Sequence, residues 1–155
     1  MIVHHNPSLT VGEALDQHLQ RAGFTKDTYG PLIPIKLGPI HFRAPNPEWR
    51  QRSLLFHDLH HVLTEYDTSF VGEAQVSAWE ARTGIHLPPI GFVIIYSVMI
   101  LGWFVEPRSV SRAWTRGAGA RNLFASGFGD ELLQMNLGDL RRKLGIDTNE
   151  VSSAV

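Results

Sequence analysis

The feature that most constrains this chain is an uncharged apolar stretch that runs from Ile90 to Val105. Its only polar side chains are Tyr96 and Ser97, and prolines stand at both ends, Pro88-Pro89 before it and Pro107 after it. As a helix it would be short of the ~20 residues that span a bilayer. We therefore expect the buried central helix of an all-α domain; the alternative is a helix with one face lining an apolar pocket or contacting a membrane.

The composition narrows the class of protein. The 155 residues suit one domain over 1–155, and a hydrophobic share of 43% is enough for a real core. The net charge of -1 argues against a dedicated nucleic-acid binder, so no nucleic acid is expected as a partner. The absence of Cys excludes disulfides, thiolate zinc sites and a Cys nucleophile. We expect flexible ends over 1–8 and 148–155 and no secretory signal.

Local signals predict the first elements. Thr10-Val-Gly-Glu13 is a capping box, in which the Thr10 hydroxyl accepts from the Glu13 N–H and the Glu13 carboxylate from the Thr10 N–H. A helix therefore starts here, and Gly23 ends it. The loose alternation of residues 33–42 around Gly38-Pro39 predicts a short, irregular β-hairpin.

Cap and stop residues predict the next two helices. Asn46-Pro47 is typical of an N-cap followed by Pro at the first helical position, and it predicts a helix from Pro47 to about Thr64. Each residue of Asp67-Thr-Ser69 is a candidate cap for a second helix, which Gly84 ends.

The rest of the chain is also helical in pattern. The apolar stretch 90–105 is followed by a segment over 107–124 and by a final helix from about Asp130 to Gly145. The predicted fold class is mainly α: a helical bundle of about five to seven helices with a candidate small β-hairpin near residues 33–42.

One segment combines residues that bind metals. On a helix, His57 and His61 lie about 40° apart on one face, and Asp58 and His61 lie about 60° apart. An i, i+4 pair of histidines is a common way for a helix to offer two imidazoles to one metal ion. Imidazole with carboxylate suits zinc, iron, manganese or cobalt better than calcium. The segment therefore predicts a divalent metal site.

The following helix offers a further carboxylate. Glu73 lies one turn into it, after a short connector that would fold the two helices into a hairpin. Two antiparallel helices would then place Glu73 opposite His57, Asp58 and His61, as in metal sites of helical bundles. Glu80 shares the stripe of Glu73, two turns farther along, and is a candidate neighbour of the ligands.

The sequence leaves the roles of the other polar residues of this segment open. Asp58 is either a ligand or the acceptor that orients an imidazole. His60 points to another side of the helix and is placed beside the site with Glu80 rather than among the ligands. The remaining histidines have no metal-ligand spacing or lie in the N-terminal segment; they are His4, His5, His18, His41 and His86.

The four residues stand in the pattern His-Asp-x-x-His, eleven residues, Glu. This pattern resembles the signature of the coenzyme Q biosynthesis protein four family. The context is similar from the helix start at Asn46-Pro47 to Ile146, including Gly72-Glu73, Trp79-Glu80 and the apolar helix. The sequence is shorter than eukaryotic members and we expect no targeting presequence, which makes it similar to the compact bacterial members.

The resemblance implies a mainly helical protein of ubiquinone biosynthesis. In that family the motif is taken to bind a divalent metal, here through His57, Asp58, His61 and Glu73. The expected cofactor is zinc first, with iron, cobalt, manganese or magnesium as alternatives. The implied chemistry is decarboxylation and hydroxylation at C1 of a prenylated benzoate ring. The family is also known as the organiser of an enzyme complex, which implies other quinone biosynthesis proteins as partners.

A lipophilic substrate would need an apolar pocket and access to lipid. Phe92, Ile95, Met99 and Trp103 are candidate pocket residues, although core packing explains each of them as well. Arg108, Arg112 and Arg116 recur every fourth position and predict one basic helix face, solvated or placed against an acidic head group or anionic lipid. We expect a cytoplasmic protein, peripheral on the inner membrane face, and a candidate homodimer.

Three functional classes compete. The first is a metal-dependent enzyme acting on a prenylated or otherwise lipophilic aromatic acid, or on a related natural product. The second is a lipid-binding scaffold with a structural metal, which would have a closed coordination sphere. The third is a His-Asp phosphohydrolase, for which the sequence offers no convincing further ligands on separate helices.

Overall fold

The computed structural model describes residues 3–38, 40–125 and 129–147. It is mainly helical, at 63%, with six α-helices and a two-stranded antiparallel sheet in the described part of the chain. The helices are α1 (Val11–Ala22), α2 (Glu48–Thr64), α3 (Phe70–Thr83), α4 (Pro89–Val105), α5 (Pro107–Arg116) and α6 (Leu137–Leu144). The strands are β1 (Leu32–Leu37) and β2 (Ile40–Pro45). The mainly α fold class with a small hairpin is confirmed.

The predicted start of α1 is confirmed by its hydrogen bonds. The Glu13 N–H donates to Thr10 Oγ1 at 3.2 Å, and the Thr10 N–H donates to Glu13 Oε2 at 2.8 Å. Gly23 ends the helix in the left-handed conformation, with φ at 74°. Val11, Leu15 and Leu19 are buried on the inner face of α1.

The hairpin is longer than the predicted segment. β1 and β2 pair from Leu32 opposite Pro45 to Leu37 opposite Ile40. Gly38, with φ at 59°, stands in the connecting turn, where a left-handed residue is needed. The other residue of that turn, Pro39, lies outside the described residues.

The helix that carries the histidines starts one residue later than predicted. Pro47 is the N-cap, and the Asn46 side chain makes no cap; it donates to the Gly30 carbonyl at 2.8 Å and accepts from Arg50 Nη1 at 2.9 Å. The end at Thr64 is confirmed. Asn46 therefore ties the start of α2 to the chain before β1.

A tight connector joins α2 to α3. Ser69, one of the three candidate caps, accepts from the Gly72 N–H at 3.2 Å, and Gly84 follows the last helical residue as predicted. Gly72 packs so closely on the connector that a Cβ there would overlap the carbonyl oxygen of Asp67. The close approach fixes the first turn of α3, which carries Glu73, against the end of α2.

The C-terminal helix differs from the prediction. A 3₁₀ turn over Asp130–Gln134 precedes α6, and the two are separated where the chain is extended at Met135. Asn136 caps α6 by accepting from the Asp139 N–H at 3.2 Å, and it pairs with Thr10 in a β-bridge. The leucine spacing did not reveal this break, because the break is set by contacts with the start of α1.

The N-terminal residues, within the segment predicted to be a flexible end, are bonded to the end of α2. The Val3 N–H donates to the Glu65 carbonyl at 2.8 Å, and the His5 N–H donates to Glu65 Oε1 at 3.3 Å. Arg141 on α6 reaches the same place, donating to the Val62 and Leu63 carbonyls and to Glu65 Oε1 at 2.8 to 3.0 Å. A buried ion pair thus closes the end of α2. The predicted tail over 148–155 lies outside the described residues.

The apolar stretch forms α4, but the expectation of a buried central helix is wrong. Only Ile95 and Gly102 are buried, because α3 and α5 pack against one side of α4 and leave its other side open. Its exposed large side chains are Ile90, Phe92, Val93, Ile94, Ile100, Leu101, Trp103, Phe104 and Val105. In the described part of the chain, no helix has the length and apolarity needed to cross a membrane.

The packing of α4 on α3 depends on a glycine. A Cβ on Gly102 would overlap the Cβ of Ala74 and would lie 3.6 Å from Val110 Cγ2. Ala74 is fully buried and follows Glu73 directly, so the approach of α4 supports the helical turn that carries Glu73.

We expect Gly102→Ala to lower the free energy of unfolding by about 1–3 kcal/mol, because the added methyl group forces the two helices apart. Ser97→Ala, an exposed change on the same helix, should alter it by less than about 0.5 kcal/mol. Urea unfolding followed by circular dichroism measures both. Equal effects of the two substitutions would contradict the close approach.

Candidate metal centre

Three of the predicted ligands come together between α2 and α3. One ligand atom from each of His57, His61 and Glu73 lies within 4.8 Å of the others. His57 Nε2 is 3.1 Å from Glu73 Oε2, and His61 Nε2 is 3.2 Å from Glu73 Oε1. The two ring nitrogens therefore face the two oxygens of one carboxylate, as the hairpin of two helices predicted.

His61 is held by the backbone of the connector. Its Nδ1 lies 3.1 Å from the carbonyl oxygen of Tyr66, which can only accept, so Nδ1 carries the proton and donates. Its Nε2 is buried and has no hydrogen-bond partner in the part of the chain that the structure describes. In the neutral ring this nitrogen carries a lone pair directed at the space beside Glu73.

His57 is held by a buried carboxylate. Its Nδ1 lies 2.9 Å from Glu80 Oε1, and Glu80 is fully buried. The pKa of Glu80 is low, at about 2: burial alone would raise it, but the rings of His57 and His60 outweigh burial. Glu80 is therefore a carboxylate that accepts from His57 Nδ1 and leaves Nε2 facing Glu73.

His60 supports Glu80 and does not belong to the metal group, the name we give to His57, His61 and Glu73 together. The Leu123 N–H donates to His60 Nε2 at 3.0 Å, so the proton of the neutral ring is on Nδ1, which donates to Glu80 Oε1 at 2.7 Å. Burial lowers the pKa of His60 and keeps the ring neutral. One carboxylate oxygen thus accepts from two histidines of α2.

The charges at the centre depend on each other. Burial alone would lower the pKa of His57, but the Glu80 and Glu73 carboxylates raise it well above its ordinary value. Burial alone would raise the pKa of Glu73, but the hydrogen bond with His57 and the nearby His61 ring hold it far below its ordinary value. A proton on His57 Nε2 and a metal ion would therefore compete for the same position.

Asp58, the fourth predicted ligand, lies outside this group. Its Oδ2 accepts a hydrogen bond of 2.5 Å from the Tyr29 hydroxyl. Burial raises the pKa of Asp58, and burial with the nearby Asp58 raises that of Tyr29. Asp58 follows His57 by one residue, which turns it about 100° around α2, toward the 3₁₀ turn over Lys26–Tyr29.

Sequence reasoning missed three neighbours of the site. Tyr29 comes from a turn-rich segment far from α2 in sequence, and no pattern there indicates the contact with Asp58. His18 on α1 stacks on His61, with ring centroids 5.3 Å apart, and His5 follows at 6.4 Å from His18. Burial is the main cause that lowers the pKa of both His5 and His18 to about 4, so the two rings are neutral at pH 7.

The predicted pocket residues lie along one stripe of α4 but differ in how deeply they are buried. Ile95 is buried and Met99 is partly buried against the core, whereas Phe92 and Trp103 are exposed. A cavity of about 280 Å³ lies elsewhere, beside the Tyr29 that bonds Asp58, and includes Arg52 and Leu55 among its lining residues. The exposed or partly exposed His4, His41 and His86 do not join the metal group in the described residues.

No protein-family model and no curated protein matches this sequence. The resemblance to the coenzyme Q biosynthesis protein four family therefore stays a prediction from the motif residues and their context.

The donor set fits a divalent transition metal. Two imidazole nitrogens and a carboxylate suit zinc and its neighbours, and three protein donors leave a coordination position for water or substrate. Both imidazoles have their second nitrogen bonded to an acceptor, which is typical of metal-binding histidines. The His61 Nε2 is buried and has no hydrogen-bond partner in the described residues, as expected of a nitrogen that can bind a metal.

Glu80 should control metal affinity without contacting the metal. Glu80→Gln removes the charge that orients His57, and we expect metal affinity to fall about 10–100-fold. Glu48→Gln, an exposed change on the same helix as the ligands, is the matched control. Calorimetric titration of metal-free protein with zinc measures both variants. An unchanged affinity in a Glu80→Gln protein of normal helicity would contradict the orienting role.

Proposed function

We propose that this chain binds one divalent metal ion through His57, His61 and Glu73 and acts as a metal-dependent enzyme on a lipophilic aromatic acid. One observation carries the proposal: both imidazoles are fixed through Nδ1, by Glu80 and by the Tyr66 carbonyl, so that both Nε2 atoms converge on the Glu73 carboxylate. Zinc is the first candidate, followed by iron, cobalt, manganese and magnesium.

Access to the site favours an enzyme over a scaffold with a structural metal. The side chains of His57 and Glu73 are 28% and 35% exposed, whereas that of His61 is 1% exposed. The group thus faces solvent on one side and is closed on the other. Three donors with an open side are typical of catalytic zinc sites, and structural sites usually have four protein ligands. A fourth ligand from Asp58 would require this side chain to move, because it lies outside the group and accepts from Tyr29 through Oδ2.

The substrate class comes from the resemblance to the quinone biosynthesis family. In this proposal the substrate is a prenylated benzoate or a related lipophilic acid, and the reaction is decarboxylation or hydroxylation at C1. A divalent ion bound at this site would supply Lewis-acid stabilisation of negative charge on a substrate oxygen. His57, His61 and Glu73 would hold the ion, and Glu80 would keep His57 in the tautomer that leaves Nε2 free to bind it.

The scaffold is the second candidate. It would use the same donors, with Asp58 completing a closed site, and would bind lipid and other quinone biosynthesis proteins without changing them. A related metalloenzyme with a different lipophilic substrate is the third. All three candidates bind a metal at the same site. They differ in whether a substrate is converted and in which substrate it is.

Removing two ligands from different helices should abolish metal binding. We expect His57→Ala combined with Glu73→Ala to lose bound metal, because His61 alone is a weak ligand, while the helical fold remains. His86→Ala, an exposed histidine outside the group, should keep its metal. Elemental analysis of the purified proteins measures the content, and circular dichroism checks the fold. Full metal content in the double variant would exclude this site.

The enzyme hypothesis predicts metal-dependent turnover. Metal-loaded protein should convert a prenylated 4-hydroxybenzoate derivative to a product that has lost carbon dioxide. Where oxygen and a two-electron reductant are also supplied, the product should in addition gain one oxygen atom, and the second oxygen atom leaves as water. Mass spectrometry of the extracted lipids detects the change, and the His57→Ala, Glu73→Ala protein is the negative control. Binding of such lipids by metal-loaded protein with no change in their mass would favour the scaffold.

A further inference from the structure

The outward side of α4 is a large apolar surface. Nine large apolar side chains of this helix are between 46% and 75% exposed, and Phe104 is the most exposed of them. Together they expose on the order of 900 Å², whereas the largest apolar patch on a typical monomer is about 300–600 Å². We call this surface, from Ile90 to Val105, the α4 face. Patches of this size mark contacts with protein or membrane.

The width of the α4 face distinguishes between occupants. At 100° per residue, its exposed positions extend from Phe92 around the helix to Val105, an arc of about 220°. A neighbouring helix covers an apolar stripe of about 100°, so one helix of a second copy would leave much of this arc in water. Lipid acyl chains are flexible, so they can cover the whole arc, which a single neighbouring helix cannot. The only polar side chains of the arc are Tyr96 and Ser97.

Cations border the α4 face on one side. Trp103 Nε1 donates to Ser111 Oγ at 3.2 Å, which places the outer side of α5 next to the α4 face. Arg108 and Arg112 lie on the same exposed side of α5 as Ser111. Arg116, predicted to extend this basic face, instead donates to the Thr64 and Asp147 carbonyls. The only acidic residue of α4, α5 and the junction between them is Glu106.

We propose that the α4 face docks this protein on a bilayer that contains anionic lipids. α4 would lie along the interface with its apolar arc among the acyl chains, and Arg108 and Arg112 would contact acidic head groups. Trp103 and Tyr96 have the amphipathic rings that favour the interface. The lipid surface follows from α4 and α5 alone and does not depend on metal binding.

The first test compares vesicle binding of two charge-matched variants. The probe is a vesicle of phosphatidylcholine with one third phosphatidylglycerol, and flotation measures the bound protein. Ile94→Glu combined with Phe104→Glu places two charges in the apolar arc and should weaken binding roughly tenfold or more. Phe24→Glu combined with Trp49→Glu changes two exposed apolar residues on other parts of the chain and should leave binding unchanged.

The second test concerns the cations. Arg108→Gln combined with Arg112→Gln should weaken binding to the anionic vesicles roughly tenfold or more and remove most of the preference over pure phosphatidylcholine. Arg43→Gln combined with Arg52→Gln, on exposed residues of β2 and α2, controls for net charge. A similar loss in this control would show general charge attraction and overturn the assignment of the cations to α5.

Three results would overturn the proposal as a whole. The first is the absence of vesicle binding by the unaltered, metal-loaded protein, and the second is equal binding by the Ile94→Glu, Phe104→Glu variant. The third is a homodimer in analytical ultracentrifugation that the same variant dissociates, without any vesicle binding, which would identify a second copy as the occupant. Circular dichroism and metal content are measured on each variant, so that loss of the fold or of the metal centre is distinguished from loss of docking.

Discussion

The carboxylate of Glu80 is the constraint on which the helix pair at the centre of this structure depends. A fully buried charge is unfavourable unless hydrogen bonds and opposite charge compensate for it. Here one oxygen of Glu80 accepts from His57 and His60, and the far side of the His60 ring accepts from the Leu123 backbone. Since the partners come from α2, α3 and the segment after α5, satisfying one carboxylate fixes three parts of the chain against each other.

The same constraint explains how His57, His61 and Glu73 are oriented toward each other by the protein alone. His57 makes its hydrogen bond to Glu80 through Nδ1. This orientation of the ring directs Nε2 toward Glu73. His61 is turned the same way by the Tyr66 carbonyl. The orientation of both rings is thus set by acceptors on their Nδ1 side, and binding of a metal would require little further ordering of these two rings.

Local features could be predicted from the sequence because their physics is local. The capping box at Thr10, the start of α3 at one of the three candidate caps over 67–69, and the pairing of His57 with His61 each depend on spacing within a few residues. The partner of Asp58 could not be predicted, because Tyr29 reaches it through tertiary packing. The break at Met135 was missed for the same reason, since the bonds that impose it come from the start of α1.

The exposure of α4 could not be predicted either, and it shows why composition is an incomplete guide to burial. An uncharged helix indicates a need for an apolar environment, and burial in the core of the same chain is only one way to meet it. In this fold most of the core comes from α1, α2, α3, α5 and α6, and α4 packs on it with one side only.

α3 connects the apolar helix with the metal group. Glu73 and Glu80 face α2, while Ala74, the neighbour of Glu73, meets Gly102 of α4 at a distance that no larger residue tolerates. The first turn of α3 is therefore held from two sides, by the connector at Gly72 and by α4. A displacement of α4 against α3 would therefore act on the turn that positions the Glu73 carboxylate. α3 thus lies between the surface proposed to dock on lipid and the group proposed to bind a metal.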